Sequence, residues 1–320
     1  MSTGNIHRFL IGSHDLTNYN DNPGTKYITG GYPKQERSLP SLTEAIKPHP
    51  DRGEDTYRGT SKLLGRRALI TGGDSGIGRA VAIAYAKDGA DIAISYLPDE
   101  QTDAEFTAEQ IRAAGRTVLL IPGDIREETY CVDLVADTVA TLGGLDILVL
   151  NAAYQKNRNG SGNLSRAKFD RVFKTNLYAT LWIARAAIPH LWPGASIIST
   201  SSIPASGPAQ ALIDYAMTKA ALVAFTQALA QQLGPAGVRV NAVAPGPSWA
   251  PLRPAASWSD TLSTFGQDTT LGQAVQPAEL AAAYVFLASP EASYISGAVV
   301  PISFECISPH LIAPVTSVQQ

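Results

Sequence analysis

The sequence predicts an α/β protein: a doubly wound parallel sheet in a single domain, preceded by an extended N-terminal arm. Three observations carry this expectation. From Arg67 onward, short β-branched runs alternate with longer amphipathic stretches, the order that crossover units produce. Most of the short runs are almost continuously apolar, as strands covered on both faces are. A glycine-rich turn, Thr71-Gly72-Gly73-Asp74-Ser75-Gly76-Ile77-Gly78, joins the first run to the first helical stretch.

In chain order, residues 1–62 form the arm. They are rich in Asn, Pro, Gly, Tyr and charge, and no periodicity persists there. Two readings stand: an arm lying on the main domain or a neighbouring subunit, and a disordered tail. The domain spans 63–303. Strands are expected at Arg67–Thr71, Asp91–Tyr96, Thr117–Ile121, Asp146–Leu150, Ala195–Thr200, Val238–Val243 and Gly297–Pro301. Helices are expected near Gly76–Asp88, Asp99–Ala114, Glu127–Leu142, Ser165–His190, Asp214–Leu233 and Pro277–Ala288. Residues 248–276 interrupt the alternation and hold Trp249, Trp258 and Phe265. Long loops at the carboxyl edge of such a sheet form substrate lids. Residues 304–320 read as an irregular tail.

Composition narrows the function classes. A net charge of −3 without any dense basic run gives no electrostatic support for nucleic-acid binding. Cys131 and Cys306 have no partner at ligand spacing and the five histidines are scattered, so no metal is expected. No stretch reaches the roughly twenty apolar residues of a membrane span, and residues 1–10 do not resemble a secretory signal. A cytoplasmic protein with a small-molecule substrate is expected.

Glycines in the turn serve a tight bend, close approach to a pyrophosphate and close packing of helix on strand. The phosphates would meet the free N–H groups at the helix start. Gly72, Asp74, Ser75, Gly76, Ile77 and Gly78 are therefore candidate dinucleotide-binding residues. Further along, Tyr215 and Lys219 stand at i and i+4 of a predicted helix and share one face. An ammonium beside a phenol favours the phenolate and brings its pKa down from about 10. Ser202 ends the fifth predicted strand, thirteen positions before Tyr215. Asn176 falls inside a helix, where asparagine is unfavourable unless its amide is used.

Glycine turn, asparagine, serine and Tyr-x-x-x-Lys, in this order and on these elements, resemble the short-chain dehydrogenase/reductase family and its Rossmann fold. Tyr32-Pro33-Lys34-Gln35, Ile94-Ser95-Tyr96-Leu97-Pro98 and Ala244-Pro245-Gly246-Pro247 are similar to the glucose/ribitol dehydrogenase-like branch, which carries a similar arm. The resemblance implies a catalytic set of Asn176, Ser202, Tyr215 and Lys219, with Asn176 holding a water that links the lysine to solvent. It also implies that Asp124, with Ile125 beside it, meets the adenine, that Asn151 lines the cofactor crevice, and that Pro245 and Gly246 bring backbone to the carboxamide. Tyr215 and Lys219 would also touch cofactor. Each of Asp124, Asn151 and the Pro-Gly pair has a plain alternative as helix cap, turn former or loop breaker. Ala250 stands where the family commonly has threonine, leaving Ser248 as the nearest hydroxyl, and the usual glycine pair after the last strand is missing.

Tyr96 occupies about the place where an acid would bind the ribose hydroxyls of NAD. Arg79 either faces a 2′-phosphate or is an ordinary solvated helix residue. The balance favours NADP(H) over NAD(H). Tyr154, Gln155, Trp249, Trp258 and Phe265 either surround the pocket mouth or pack the lid. The expected reaction is hydride transfer between the nicotinamide and the carbonyl or alcohol carbon of an aldehyde, ketone or polyol. A non-redox enzyme on the same scaffold (dehydratase, isomerase or cyclisation catalyst) and a non-catalytic dinucleotide sensor are the alternatives. Family likeness further implies a homodimer or homotetramer.

Overall fold

The computed structural model describes residues 22–35, 37, 41–157, 162, 164–203, 210–256 and 259–304. Residues 1–21 of the arm, Trp258, Cys306 and residues 305–320 lie outside them.

Seven strands form one sheet: β1 (Arg67–Thr71), β2 (Asp91–Tyr96), β3 (Val118–Pro122), β4 (Leu145–Leu150), β5 (Leu191–Thr200), β6 (Arg239–Pro245) and β7 (Val299–Ile302). The order is β3-β2-β1-β4-β5-β6-β7 and every pairing is parallel. Successive residues of one strand face opposite layers, so each apolar run feeds two cores. In β1, Ala68 and Ile70 pack with α1 (Gly76–Lys87) and α8 (Pro277–Ala288), while Leu69 packs with α3 (Glu128–Leu142) and α5 (Ala179–Ala187). The chain order reverses between β1 and β4, and a doubly wound sheet opens its ligand crevice at that point, beyond the carboxyl ends of the strands.

Among the remaining helices are α2 (Gln101–Ala113), α4 (Arg166–Phe173), α6 (Ile213–Leu233) and the short α7 (Leu252–Ala255). The expected helix over Ser165–His190 is broken. Between α4 and α5, residues Lys174–Tyr178 form a π-helical turn, and Ile188–His190 is a 3₁₀ turn. Thr175 and Thr180 return their hydroxyls to the carbonyls of Arg171 and Asn176, at 2.8 and 3.0 Å, which offers the backbone alternatives to the regular ladder. In α6 the buried positions Tyr215, Thr218, Lys219, Leu222, Thr226, Leu229 and Leu233 form one stripe. The strand β5 begins at Leu191 instead of Ala195, with an exposed start.

The described part of the arm lies across residues 248–276 of its own chain. Tyr32 stacks on Trp249 with ring centroids 3.8 Å apart, and Phe265, Ile46, Leu262 and Ala274 complete a separate small core. Backbone and side-chain bonds pin the contact: Tyr32 N–H to Leu262 O at 2.7 Å, Trp249 Nε1–H to Pro48 O at 2.8 Å. Trp249 is fully buried there and Phe265 nearly so. Of the aromatics expected either at a pocket mouth or packed in the 248–276 segment, Trp249 and Phe265 are packed against the arm.

Candidate functional site

A cleft of about 260 Å³ opens at the crevice between the carboxyl ends of β1 and β4. The glycine turn forms its floor. Gly72 and Gly76 adopt φ of +62° and +50°, and a Cβ on Gly78 would come within 1.8 Å of the Gly72 carbonyl oxygen. No larger residue fits at Gly78, so the start of α1 packs directly beneath the turn. Gly72, Asp74, Ser75, Gly76 and Ile77 line the cleft, as do Tyr96, Asp124, Ile125, Asn151, Tyr215 and Lys219. Asn151 ties three strand ends together. Its Nδ2 donates to Thr71 O (3.1 Å) and Gly72 O (3.2 Å), and its Oδ1 accepts from Thr200 Oγ1 at 3.3 Å. Asp124 is paired with the Arg126 guanidinium, which holds its carboxyl below the usual range.

Gly78, Asn176, Ser202, Pro245, Gly246 and Ser248 are not among the residues that line the cleft. Gly78 lies under the turn. Gly246 backs onto the chain after β7, where a Cβ would meet Ser303 Oγ at 2.7 Å, and its N–H bonds Ile302 O at 3.0 Å. Ser248 forms a bridge to Val275.

At the β5 side, Ser202 hydrogen-bonds the Tyr215 hydroxyl. The Nζ of Lys219 donates to Thr200 O at 2.6 Å and lies 5.4 Å from the Tyr215 ring centroid. All of this is deep: Tyr215 is 8% exposed and Lys219 2%. Burial reverses the expected shift. The Tyr215 phenol is pushed up to about 12, the Ser202 hydrogen bond opposing, and burial brings Lys219 down to about 7. At the phenol, desolvation outweighs the Ser202 hydrogen bond.

Asn176, 1% exposed, spends its amide on protein. Oδ1 accepts from Tyr154 N–H at 2.7 Å, and Nδ2 donates to Tyr154 O and Thr218 Oγ1 at 3.0 and 3.1 Å. It thereby staples the π-helical turn to the loop after β4 and to α6. Tyr154 lines the cleft with the Arg171 guanidinium 4.2 Å over its ring; Gln155 does not line it.

At the β2 side the sequence expectation for Arg79 needs correction. Its head is neither solvated nor turned to the cleft. It is fully buried, ion-paired with Asp103 at 2.8 Å, and donates from Nε to the Asp74 carbonyl at 2.6 Å. Cleft residues that local patterns missed include Ser41, Leu97, Glu100, Arg126, Arg171 and Leu252. Ser41 comes from the arm, and nothing in its neighbourhood of sequence announces a site. Burial, with the nearby Asp74 charge adding, raises the Glu100 carboxyl well above its ordinary value. Among the described residues, no cluster of His, Cys, Asp or Glu is arranged to hold a metal ion, and no helix is long and apolar enough to cross a membrane.

Comparison with known proteins places this geometry. Residues 72–303 match the family profile described as Enoyl-(Acyl carrier protein) reductase. The uncharacterized oxidoreductase YhxD of Bacillus subtilis is 46% identical over 286 residues, spanning 88% of this chain and 96% of its own. The glucose and ribitol dehydrogenase of Daucus carota is 39% identical over 272 residues, spanning 83% of this chain and 94% of its own. A short-chain dehydrogenase from Burkholderia cenocepacia, crystallised in complex with NADP, superposes with a TM-score of 0.72 at 34% identity, covering 76% of this chain and 98% of that one. The chain belongs to the short-chain dehydrogenase/reductase family, within its glucose/ribitol dehydrogenase-like branch.

Proposed function

We propose that residues 63–303 act as one catalytic domain that transfers a hydride between a nicotinamide dinucleotide and the carbonyl or alcohol carbon of an aldehyde, ketone or polyol. The observation that carries this reading is the Tyr215 hydroxyl, hydrogen-bonded to Ser202 and beside the buried Lys219 ammonium, in the same cleft as the glycine turn. The cradle suits a pyrophosphate: Gly72 and Gly76 hold left-handed backbone, and Gly78 admits no side chain. The dinucleotide, when bound, supplies the hydride.

Everything else is the work of this chain. Gly72–Gly78 and Asn151 position the dinucleotide. Ser202 donates a hydrogen bond to the substrate oxygen as negative charge builds there. Tyr215 gives that oxygen a proton in reduction and takes one in oxidation. Lys219, its Nζ fixed by the Thr200 carbonyl, stands beside the phenol ring where it can meet the dinucleotide, and Asn176 holds the loop carrying Tyr154 against α6. Exposed Tyr178, Leu181 and Met217 on the segment before α5, on α5 and on α6 support association of copies into a dimer or tetramer.

We place NADP(H) ahead of NAD(H), because Tyr96 and not an acid ends β2 and because the Burkholderia relative carries NADP. Arg79, buried beneath the turn, lends that preference no support. The test is loss of reduced-nicotinamide absorbance across a panel of aldehydes, ketones and sugar alcohols, run with NADPH and with NADH. The higher kcat/KM is expected with NADPH. Tyr215→Phe is expected to lower kcat by about 10²–10⁴-fold while dinucleotide binding stays measurable; wild-type turnover in that variant would remove Tyr215 from the chemistry.

A further inference from the structure

Ser41 is the point where the arm enters the cleft. It is 7% exposed and lines the cleft, and its Oγ has no hydrogen-bond partner among the described residues. The same holds for Oδ2 of Asp74, which is 2% exposed. Buried polar atoms left unpaired are destabilising, and in folded proteins nearly all find a partner. Two residues that line one cleft, each with a buried polar atom left unpaired, point to a polar ligand group that reaches them.

The arm is not placed here by chance packing. Thr43 donates from N–H and Oγ1 to Asp103 Oδ2, at 2.8 and 2.9 Å. The other oxygen of Asp103 pairs with Arg79 at 2.8 Å, and Arg79 holds the Asp74 carbonyl at 2.6 Å. Thr107 Oγ1 donates to that carbonyl too, at 3.0 Å. Arm, buried ion pair and glycine turn form one connected unit, all at the β2 side. The carboxyl ends of β2 and β5 are three strand spacings apart, about 14 Å, so this subsite lies at the far end of the crevice from Tyr215. With a pyrophosphate over the start of α1 between them, the far end takes the adenosine.

We propose that Ser41 of the N-terminal arm is a cofactor-binding residue, which with Asp74 forms the subsite for the adenosine ribose of the dinucleotide. The inference rests on the dinucleotide reading above. Asp74 Oδ2 accepts from the ribose 3′-hydroxyl, which NAD and NADP share. The Ser41 hydroxyl donates to a ribose or 2′-phosphate oxygen, so its contribution does not depend on which dinucleotide is used.

The experiment is calorimetric titration of the full chain with ADP-ribose and with 2′-phospho-ADP-ribose, neither of which carries the nicotinamide. Ser41→Ala is expected to weaken whichever fragment the wild type binds by roughly 3–10-fold, the worth of one hydrogen bond, and Ser41→Thr to keep most of the affinity. Unchanged affinity in Ser41→Ala overturns the role of the arm and leaves the dinucleotide reading intact. A wild type that binds neither fragment nor dinucleotide overturns both. Should Ser41→Ala fold poorly, hydrogen exchange on the wild type decides: the fragment slows exchange across residues 41–46, and equal exchange with and without it refutes the proposal.

Discussion

At the Tyr215 end of the cleft, the side chains proposed to act come from α6 and the residues just after β5, adjacent elements joined by one connection. At the Asp74 end, Ser41, Asp74, Arg79, Glu100 and Asp103 come from the arm, the glycine turn, α1, the turn before α2, and α2 itself. The first end places the proposed acting groups on one helix stripe and one strand end, and the bonds described there are between neutral groups or from the Lys219 Nζ to a backbone carbonyl. The second is a lattice of buried charge whose members hold one another. The contrast predicts that the proposed acting groups at the first end can be removed without loosening the fold, whereas at the second the proposed binding surface and the stability of the domain rest on the same bonds.

The strongest way to break this contrast is Arg79→Leu. Removing the guanidinium leaves Asp103 buried with only its Thr43 bonds, and frees the Asp74 carbonyl of one donor. Breaking a buried pair by deleting one partner costs about 3–5 kcal/mol. Urea unfolding should show a loss of that order together with weakened dinucleotide binding. A variant as stable as wild type would show that the arm and α2 do not depend on the pair.

A second test uses pH at the other end. Burial sets the folded-state pKa of Lys219 at about 7, against 10.5 for the free side chain. The sign follows from linkage: between about 7 and about 10.5 the unfolded chain binds the proton and the folded one does not, so stability rises with pH across that window. Below it, the cost of burying the ammonium is felt in full. Lys219→Met lacks this titration. The stability of wild type relative to Lys219→Met should therefore climb from neutral to alkaline pH in urea unfolding; parallel curves would mean that the ammonium is not buried as described.

These two ends also differ in how far the sequence discloses them. That Tyr215 and Lys219 share a helix face follows from helix period, and that Ser202 closes the fifth strand from the apolar run before it; that the three form one set was implied only by the family resemblance. The seven strands were legible from local pattern: runs such as Ile92–Ile94 are apolar on both faces wherever they sit. Arg79 was misread because a helix arginine shows no sign in its own neighbourhood of the Asp103 that buries it. Trp249 was ambiguous until Tyr32, more than two hundred residues away in the chain, was seen stacked upon it. The break in the long helix around Asn176 was hinted at only by an asparagine in an unfavourable place, and it coincides with the bonds that Asn176 makes to Tyr154 and Thr218. Ser41 had no local sign at all.

The smallest effect is expected where chemistry is most concentrated. Tyr215→Phe keeps the ring in the α6 stripe and deletes only the hydroxyl. Ser202 is half-buried and can turn its own hydroxyl toward water, so little is left unpaired. One neutral hydrogen bond contributes about 1 kcal/mol, and the unfolding free energy should fall by no more than that, although turnover drops by orders of magnitude. Raising pH sharpens the comparison. The phenol of the folded protein titrates at about 12 against 10.0 unfolded, so its contribution is fully present below about pH 10 and is lost as pH rises through the folded value. Below that window, wild type and Tyr215→Phe should run parallel in stability. A loss of several kcal/mol instead would mean that the Tyr215 end is held together by its reactive groups, as the Asp74 end is.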